Sequence, residues 1–320
     1  MSRKRVVAAA QLGPIARSET RAQVVKRLLA LLSAGRARGV EFIVFPELAL
    51  TTFFPRYVFE DEAELDSFFE GAMPGPDVQP LFEAAIAAGI GFCLGFAERI
   101  EVEGRVRRFN TAITVDARGR LIGRYRKVHL PGHAEPQPGR TFQHLEKRYF
   151  EPGDLGFPVF ESLGGRMGVL ICNDRRWPEA YRVMGLQDVE LVCLGYNTPV
   201  DHANHPEVNA LTGFHNALSM QAGAYQNATW VIGAAKGGCE EGSLLLAESC
   251  IIAPSGQIVA QATSMEDELV VATIDLDMGR AYKETFFDFA RHREPEWYGL
   301  IVERKGAGPV LPPVKGAGCG

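Results

Sequence analysis

The sequence predicts an α/β fold, because short apolar runs typical of strands alternate with longer segments in which apolar residues recur at helical spacing. The chain has 320 residues, 46% of them hydrophobic, which is enough to bury a large core. No stretch rich in Pro, Gly or Ser divides it before its last residues. We therefore expect one domain over residues 1–304 and an extended or disordered Gly- and Pro-rich tail over 305–320.

The first half of the chain contains two predicted helices. Leucines and valines recur every three or four residues over 18–38, with Ser18 as a candidate N-cap and Gly39 as a stop. The segment 77–88 has a similar pattern and ends before Gly89. The strands predicted in this half are 6–10, 42–45, 90–97 and 110–115.

The second half repeats the alternation of strands and helices. A helix is predicted over 177–184, with Pro178 in its first turn and Gly185 at its end, and another over 211–226. The predicted strands are 167–171, 190–194, 229–234, 250–253, 257–262 and 269–274. Because both halves supply both kinds of element, we expect them to form layers of a common domain.

Composition and charge exclude several classes of protein. The formal net charge is -5, and charges of both signs are interspersed, which argues against binding to nucleic acid. No apolar segment is long enough to span a membrane, and Gly13 and Pro14 break the stretch after the basic start. The six cysteines lack the close spacing of zinc motifs and the density of a disulfide scaffold. We therefore expect reduced thiols and a cytoplasmic location.

Cys172 is the strongest candidate for a nucleophile. It ends the apolar run 168–171 and precedes the predicted helix that begins near residue 177. Unpaired N–H groups at a helix N-terminus and the guanidiniums of Arg175 and Arg176 favour a thiolate, so the sequence predicts a thiol pKa below its usual value of about 8.5. The alternative is a buried structural cysteine, since free cysteines are often buried.

Two further charged residues lie at predicted strand ends. Glu47 follows an apolar strand and Pro46, which cannot extend the hydrogen-bond ladder of that strand. Lys127 lies near the end of another strand-like segment. Because ligands in α/β folds bind beyond the carboxyl ends of strands, Glu47, Lys127 and Cys172 could converge there. The alternative for each of the two charged residues is an ordinary surface position.

Three segments, in this order, resemble the Glu, Lys and Cys motifs of the nitrilase superfamily of carbon–nitrogen hydrolases. They are Phe45-Pro46-Glu47, residues 125–130 and residues 172–179. The resemblance extends from about residue 4 to about residue 303 and implies a four-layer α-β-β-α sandwich. The flanking segments most resemble the branch that hydrolyses N-carbamoyl-D-amino acids; they are 45–56, 142–156 and 195–199.

The resemblance also implies catalytic roles. Glu47 is the general base, Cys172 the nucleophile, and Lys127 together with the backbone N–H of Asn173 stabilises the oxyanion. Glu146 matches a second glutamate that orients the lysine in the superfamily, although an exposed loop acid is its alternative. This chemistry requires no metal and no organic cofactor.

Substrate selection is predicted to depend on cations. Arg175 and Arg176 can hold a carboxylate through paired hydrogen bonds, which favours an amino-acid derivative. The alternative is that at least one of them forms a structural ion pair with a nearby acid. By resemblance, Asn197 and Thr198 are further carboxylate contacts, and simple turn residues are the alternative.

The histidines divide into supports of the pocket and others. His129, His144 and His215 match histidines of the D-carbamoylases and are candidates for hydrogen-bond supports, with satisfied structural histidines as the alternative. His129 and His133 have a spacing typical of metal ligands on a helix, but the intervening Pro131-Gly132 precludes a continuous helix. We therefore predict no metal site.

The predicted function is hydrolysis of N-carbamoyl-D-amino acids to the D-amino acid, ammonia and carbon dioxide, through a carbamoyl group carried by Cys172. Other amidohydrolases of the superfamily, such as a β-ureidopropionase or an aliphatic amidase, are the nearest alternatives. A catalytically silent binding protein of this fold is a third, against which the intact Glu47, Lys127 and Cys172 argue. The preference for the D-form rests on the resemblance, which also implies a homodimer or homotetramer.

Overall fold

Two six-stranded sheets form the centre of the protein, as a computed structural model describes it over residues 2–140, 142–201 and 206–309. The strands of these residues are β1 (Lys4–Gln11), β2 (Phe42–Val44), β3 (Gly91–Val102), β4 (Arg105–Val115), β5 (Leu121–Arg126), β6 (Val159–Ser162), β7 (Gly165–Ile171), β8 (Leu191–Tyr196), β9 (Trp230–Ala235), β10 (Gly237–Glu240), β11 (Ser243–Leu246), β12 (Cys250–Ile252), β13 (Ile258–Gln261) and β14 (Glu268–Asp275).

Helices of varied length connect and cover these strands. The α-helices are α1 (Arg21–Ala37), α2 (Glu62–Asp66), α3 (Gln79–Ala88), α4 (Glu146–Tyr149), α5 (Pro178–Gly185), α6 (Pro206–Asn209), α7 (Thr212–Gln226), α8 (Arg280–Lys283), α9 (Phe289–His292) and α10 (Gly299–Glu303). Short 3₁₀ helices span Phe54–Arg56, Cys172–Arg176, Leu276–Gly279 and Pro295–Trp297.

The two sheets have similar strand orders. The first is β14-β1-β2-β3-β4-β5, and the second is β13-β12-β9-β8-β7-β6. In the first sheet β1, β2 and β3 run parallel, and in the second β7, β8 and β9 do so. The carboxyl ends of parallel strands therefore meet at one edge of each sheet, which is where ligands bind in α/β folds.

Helices cover the outer face of each sheet. Apolar residues of α1 and α3 pack on the first sheet, and residues of α5 and α7, such as Met184 and Met220, pack on the second. Side chains of both sheets, such as Val44 and Cys193, meet in the core between them. The predicted four-layer α-β-β-α sandwich is confirmed.

The first long helix begins later than the sequence predicted. Thr20, not Ser18, is the N-cap of α1: its hydroxyl accepts the backbone N–H of Gln23, whose side chain in turn accepts the backbone N–H of Thr20. This reciprocal capping box satisfies two donors that a helix start otherwise leaves unpaired. The predicted end of α3 is confirmed, since Gly89 caps it with a φ of +67°.

The strands β3 and β4 are longer than predicted and form an extended antiparallel hairpin. Their pairing continues from the core out to Val102 and Arg105. The outer half lies beyond the core, so its sequence is polar and lacks the apolar run that revealed the inner half. Short strands such as β6, β10 and β11 were missed for a related reason, since four residues give little periodicity.

Two glycines let the sheets approach the segment that carries Glu47. A Cβ atom on Gly95 of β3 would lie 2.5 Å from the carbonyl oxygen of Pro46, and one on Gly195 of β8 would lie 2.5 Å from the backbone nitrogen of Glu47. Real Cβ atoms do not approach backbone so closely. Glu47 is therefore held between the two sheets by backbone packing that only glycine allows.

The chain after β14 consists of short helices and irregular segments. Residues 305–309 adopt no helix or strand, whereas the rest of the predicted tail, 310–320, lies outside the described residues. The division into one domain and a tail stays a prediction. Among the helices that the structure describes, none combines the length and the apolar character needed to cross a membrane.

Candidate active site

Four predicted residues converge between the sheets. Glu47 lies just after β2, Lys127 directly after β5, Glu146 at the start of α4, and Cys172 directly after β7. All four side chains are buried. Glu146 is therefore not an exposed loop acid, and neither Glu47 nor Lys127 occupies a surface position.

Hydrogen bonds join the three charged residues. The Lys127 ammonium donates to Glu47 Oε1 at 2.7 Å and to Glu146 Oε2 at 2.6 Å. Asn110 Nδ2 donates to the same Glu47 oxygen at 2.7 Å and lies 3.4 Å from Glu146 Oε2. We call Glu47, Asn110, Lys127 and Glu146 the acidic cluster, because two carboxylates share one ammonium.

Cys172 occupies a sharp turn between β7 and the 3₁₀ helix that follows. Its φ of +48° is unusual for a residue other than glycine and marks a strained turn of the kind found at functional sites. The turn is braced by Asp174, whose carboxylate accepts the backbone N–H of Ile171 at 3.0 Å. This geometry fixes the direction in which the thiol points.

Asn197 links the thiol to the acidic cluster. The Cys172 thiol donates to the Asn197 carbonyl oxygen at 3.5 Å, and the Asn197 backbone N–H donates to Glu47 Oε2 at 3.0 Å. Its side-chain amide donates to the Glu47 carbonyl at 2.9 Å. A single residue after β8 therefore contacts both the candidate nucleophile and the candidate base.

The charges of the acidic cluster shift its pKa values in opposite directions. Burial raises the pKa of Glu47, and the Glu146 carboxylate adds to this against the opposing effect of Lys127. Burial alone would raise the pKa of Glu146, but Lys127 and then His144 outweigh it and lower that pKa. For Lys127, the two carboxylates outweigh burial and hold its pKa above the ordinary value. Lys127 therefore stays charged, while Glu47 is the stronger base of the two acids.

The predicted low pKa of the Cys172 thiol is wrong. Burial raises this pKa, and the Glu47 carboxylate raises it further, while Lys127 and Arg175 only partly compensate. The sequence prediction counted the nearby cations but not the loss of water around the sulfur. The thiol is therefore protonated at rest, next to a carboxylate that can accept its proton.

A cavity of about 390 Å³ opens in front of Cys172. It is lined by Pro131, Gly132, His133, Arg140, His144, Cys172, Asn173, Arg176, Asn197, Thr198, Pro199, Val208, Thr212 and His215. The lining residues that the structure describes include two arginines and three histidines but no aspartate or glutamate. Because the lining itself carries positive charge and the acidic cluster is not part of it, the cavity favours a ligand with a negative group.

The adjacent arginines occupy different environments. Arg176 lines the cavity near its exposed mouth, where its Nη1 donates to Asn173 Oδ1 at 3.3 Å. Surrounding protein atoms and then the charge of Arg175 lower the pKa of Arg176 to about 10, which still leaves it charged at neutral pH. Arg175 is only 2% exposed and does not line the cavity. Neither forms an ion pair with any residue of the described ranges.

The three predicted histidines lie in different places. His144 contacts Glu146 at 3.1 Å and lines the cavity, and His215 lines it from α7. His129 is not part of the lining; its ring contacts Asp174 at 2.8 Å and stacks on Trp177.

The remaining predicted contacts hold the walls of the cavity. The Asn173 side chain donates to the His129 carbonyl at 3.1 Å, and the Thr198 hydroxyl accepts from Arg175 at 2.8 Å. Both residues line the cavity together with Asn197.

Sequence reasoning missed several residues of this site. Asn110, which contacts both carboxylates, belongs to none of the three motifs, and Asp174, which braces the turn and His129, lies within the motif of residues 172–179 but was given no role. His133 and Arg140 line the cavity from a segment without clear periodicity. Among the described residues, no group of three or more His, Cys, Asp or Glu side chains is arranged to hold a metal ion.

Comparison with known proteins gives related results from sequence and from structure. The chain is 31% identical over 288 residues to an N-carbamoylputrescine amidase of Arabidopsis thaliana, covering 86% of this chain and 89% of the relative. It is 28% identical over 298 residues to a citrullinase of Francisella tularensis, covering 90% and 95%. A carbon-nitrogen hydrolase from Helicobacter pylori G27 has the same fold, with a TM-score of 0.79 at 22% identity, covering 94% of this chain and 99% of that one.

The family model of the carbon-nitrogen hydrolases matches residues 6–284, which include all four converging residues of the site. The match spans both sheets and most of the helices that cover them. The chain therefore belongs to the carbon–nitrogen hydrolases of the nitrilase superfamily, and it is a hydrolase of carbon–nitrogen bonds.

Proposed function

We propose that the protein hydrolyses N-carbamoyl-D-amino acids to the D-amino acid, ammonia and carbon dioxide. The observation that carries this proposal is Arg176, a guanidinium without an acidic partner among the described residues, in the same cavity as the Cys172 thiol. A guanidinium in that position can hold the α-carboxylate of a substrate whose carbamoyl carbon faces the sulfur.

The first half of the reaction forms a carbamoyl-enzyme. Glu47 takes the proton of the Cys172 thiol, and the sulfur attacks the carbamoyl carbon. Lys127 and the backbone N–H of Asn173 donate to the resulting oxyanion, and loss of one such donor costs about 10²–10³ in rate. Glu47 then protonates the leaving nitrogen, so the C–N bond breaks and the amino acid departs.

The second half releases the carbamoyl group. Glu47 takes a proton from water, and the hydroxide attacks the carbamoyl carbon bound to sulfur. The C–S bond breaks, the thiol is restored, and carbamic acid decomposes to ammonia and carbon dioxide. Glu146 keeps Lys127 in place by accepting its hydrogen bond, and Asn110 keeps Glu47 in place by donating one to it.

The positive charge of the cavity lining favours an N-carbamoyl amino acid over N-carbamoylputrescine. N-carbamoylputrescine, for which one relative is named, carries an ammonium at its far end. The lining residues that the structure describes offer Arg140, Arg176 and three histidines but no carboxylate to bind that ammonium. Relatives named for N-carbamoylputrescine and citrulline both support a carbamoyl group as the part that is cleaved.

Supporting roles follow for the other lining residues. Thr198, Asn197 and Asn173 shape the wall against which the carboxylate lies, and His144 and His215 supply hydrogen bonds at the cavity surface. His129 supports the turn from behind through Asp174. The preference for the D-form rests on the resemblance of the flanking segments.

The test is ammonia release from both enantiomers of one N-carbamoyl amino acid, from β-ureidopropionate and from N-carbamoylputrescine. We expect kcat/KM to be highest for the D-form. A preference for N-carbamoylputrescine would contradict the role of Arg176. A preference for the L-form or for β-ureidopropionate would assign another substrate to the same chemistry.

We also infer that the chain forms a homo-oligomer. Phe214 and Leu218 on α7 are 61% and 50% exposed, and Trp297 and Val302 near the C-terminus are 78% and 87% exposed. Apolar surface of this kind often marks a contact between subunits. Sedimentation should show a dimer or tetramer, and a species of 35.0 kDa alone would refute the inference.

A further inference from the structure

Arg175 is a buried cation with an unusual set of partners. Its Nη1 donates to the Cys172 carbonyl oxygen at 2.6 Å, and its Nη2 donates to the Thr198 hydroxyl at 2.8 Å. Its guanidinium carbon lies 4.7 Å from the centre of the Tyr196 ring. All of these partners are neutral, and no carboxylate among the described residues pairs with it.

A buried guanidinium without a carboxylate is costly, because water is lost and no opposite charge replaces it. The partners of Arg175 indicate what offsets this cost. The carbonyl it holds belongs to Cys172, whose φ of +48° is strained, and its Nη1 also lies 3.8 Å from the Cys172 sulfur. The cation is therefore fixed to the turn of the nucleophile and close to the atom that becomes negative.

We propose that Arg175 is a positioning residue, which fixes the Cys172 turn and stabilises the thiolate, while Arg176 contacts the substrate carboxylate. From the sequence, both arginines were expected to stabilise the thiolate and to bind the carboxylate. Each of them now has one of these two tasks. This inference rests on the proposed function in taking Cys172 as the nucleophile and Arg176 as the contact of the substrate carboxylate.

The charges around the sulfur agree with this division. Burial and Glu47 raise the pKa of Cys172, whereas Lys127 and Arg175 lower it, and Glu146 has a smaller raising effect. These groups approach from the loops after β2 and β5, from α4 and from the turn itself. Removing the positive charge of Arg175 therefore raises the thiol pKa and reduces the thiolate fraction at neutral pH.

The test is the rate at which iodoacetamide alkylates Cys172 from neutral to alkaline pH, followed on the Cys172 peptide by mass spectrometry. Arg175→Gln should raise the midpoint by about one pH unit and slow alkylation about tenfold at neutral pH, with rates that converge at high pH. Arg182→Gln, which removes a charge from α5 outside the cavity, is the matched control and should leave the profile unchanged.

Arg175→Lys keeps a positive charge but cannot bridge the Cys172 carbonyl and Thr198 as a guanidinium does. We expect its alkylation midpoint to stay near that of the wild type while kcat for the N-carbamoyl amino acid falls. If Arg175→Gln does not fold, the alkylation midpoint and kcat of Arg175→Lys still test the inference. In both variants KM should stay within about threefold of the wild type, since the carboxylate contact is retained.

Two results would overturn the inference. One is a wild-type alkylation profile in both Arg175 variants together with a raised KM, which would make Arg175 a substrate contact. The other is a rate reduced by the same factor at every pH, which would indicate general disruption. Failure of the proposed function is distinguishable, because the wild type would then release no ammonia from the N-carbamoyl-D-amino acid, or would still release it after full alkylation of Cys172. The alkylation profiles themselves require no substrate.

Discussion

Two buried charge clusters in this protein have opposite imbalances, and only one of them lies behind the cavity. In the acidic cluster, Glu47 and Glu146 share Lys127, which leaves one excess negative charge. In the second, which we call the basic cluster, Arg56 and Lys236 share Glu240, at 2.7 and 3.4 Å, which leaves one excess positive charge. All six side chains are buried, so burial alone does not distinguish a site from a structural network.

Backbone N–H groups donate further hydrogen bonds to the carboxylate of the basic cluster. The Glu240 carboxylate also accepts the backbone N–H groups of Ile15 and Phe53, at 3.0 and 2.7 Å. Burial alone would raise the Glu240 pKa, but Lys236 and Arg56 outweigh it and lower that pKa. Burial and the charge of Arg56 lower the pKa of Lys236. This cluster joins the loop after Glu47 to β10 and to the residue between β9 and β10, and none of its three members is among the described lining residues of the cavity.

The same fold therefore makes one carboxylate a candidate base and another a structural anion. Of the two carboxylates that share Lys127, Glu146 has a lowered pKa, whereas Glu47 has a raised pKa and can take a proton from the neighbouring thiol. A carboxylate between two cations keeps its charge and holds the surrounding loops.

Replacing the nucleophile should abolish activity. Cys172→Ala removes the sulfur that we propose as the nucleophile, so we expect ammonia release to fall on the order of 10⁵-fold. The measurement is the steady-state rate with an N-carbamoyl-D-amino acid. Cys239→Ala, which changes an exposed cysteine, is the control and should retain activity. Activity that survives in Cys172→Ala would contradict the mechanism.

The two clusters should respond differently to loss of a carboxylate charge. Glu47→Gln removes the base, so we expect kcat to fall about 10³-fold with little loss of stability, because Lys127 keeps Glu146. Glu240→Gln leaves Arg56 and Lys236 without a counter-ion, so the free energy of unfolding should fall by about 3 kcal/mol. Urea denaturation and steady-state kinetics measure the two effects. A loss of stability in Glu47→Gln together with a loss of kcat in Glu240→Gln would mean that the acidic cluster is structural and the basic cluster catalytic.

Arg176 should affect substrate binding more than chemistry. Arg176→Gln removes the cation proposed for the carboxylate, so we expect KM to rise about 30-fold with a smaller change in kcat. Arg176→Lys keeps the charge without the paired hydrogen bonds, so its KM should lie between those of the wild type and Arg176→Gln. An unchanged KM in both variants would remove Arg176 from the substrate site.

The excess negative charge of the acidic cluster should affect how kcat/KM depends on pH. Because the Glu47 pKa is raised and the base must be deprotonated, kcat/KM should fall with decreasing pH at values above those of an ordinary carboxyl. Glu146→Gln removes a negative neighbour and lowers the Glu47 pKa, so the acid limb should move down by about one pH unit. An acid limb that does not move would show that Glu146 does not act on Glu47.

The sequence predicted those parts of the fold and site that follow from local pattern. Strands such as β7 and β8 were found because they are apolar runs, and Glu47, Lys127 and Cys172 because they follow such runs in recognisable motifs. Asn110 was missed because its importance arises only when β4 meets two distant loops.

Two other features depend on the folded environment. Arg175 and Arg176 are adjacent in sequence, so only the 3₁₀ turn decides that the first points inward and the second toward the cavity. The pKa of Cys172 depends on burial, which outweighs the cations that the sequence displays. Pattern reasoning identifies the chemistry, whereas the balance of charges and water needs three-dimensional structure.

The most direct test of the proposed mechanism is to trap the covalent intermediate. Wild-type protein mixed with an excess of an N-carbamoyl-D-amino acid, quenched in acid during turnover and digested should carry a carbamoyl group on the peptide that contains Cys172. Glu47→Gln protein lacks the base for both halves of the reaction and should form this adduct far more slowly. Ammonia release by the wild type without an adduct on Cys172, or with an adduct on another residue, would contradict the mechanism.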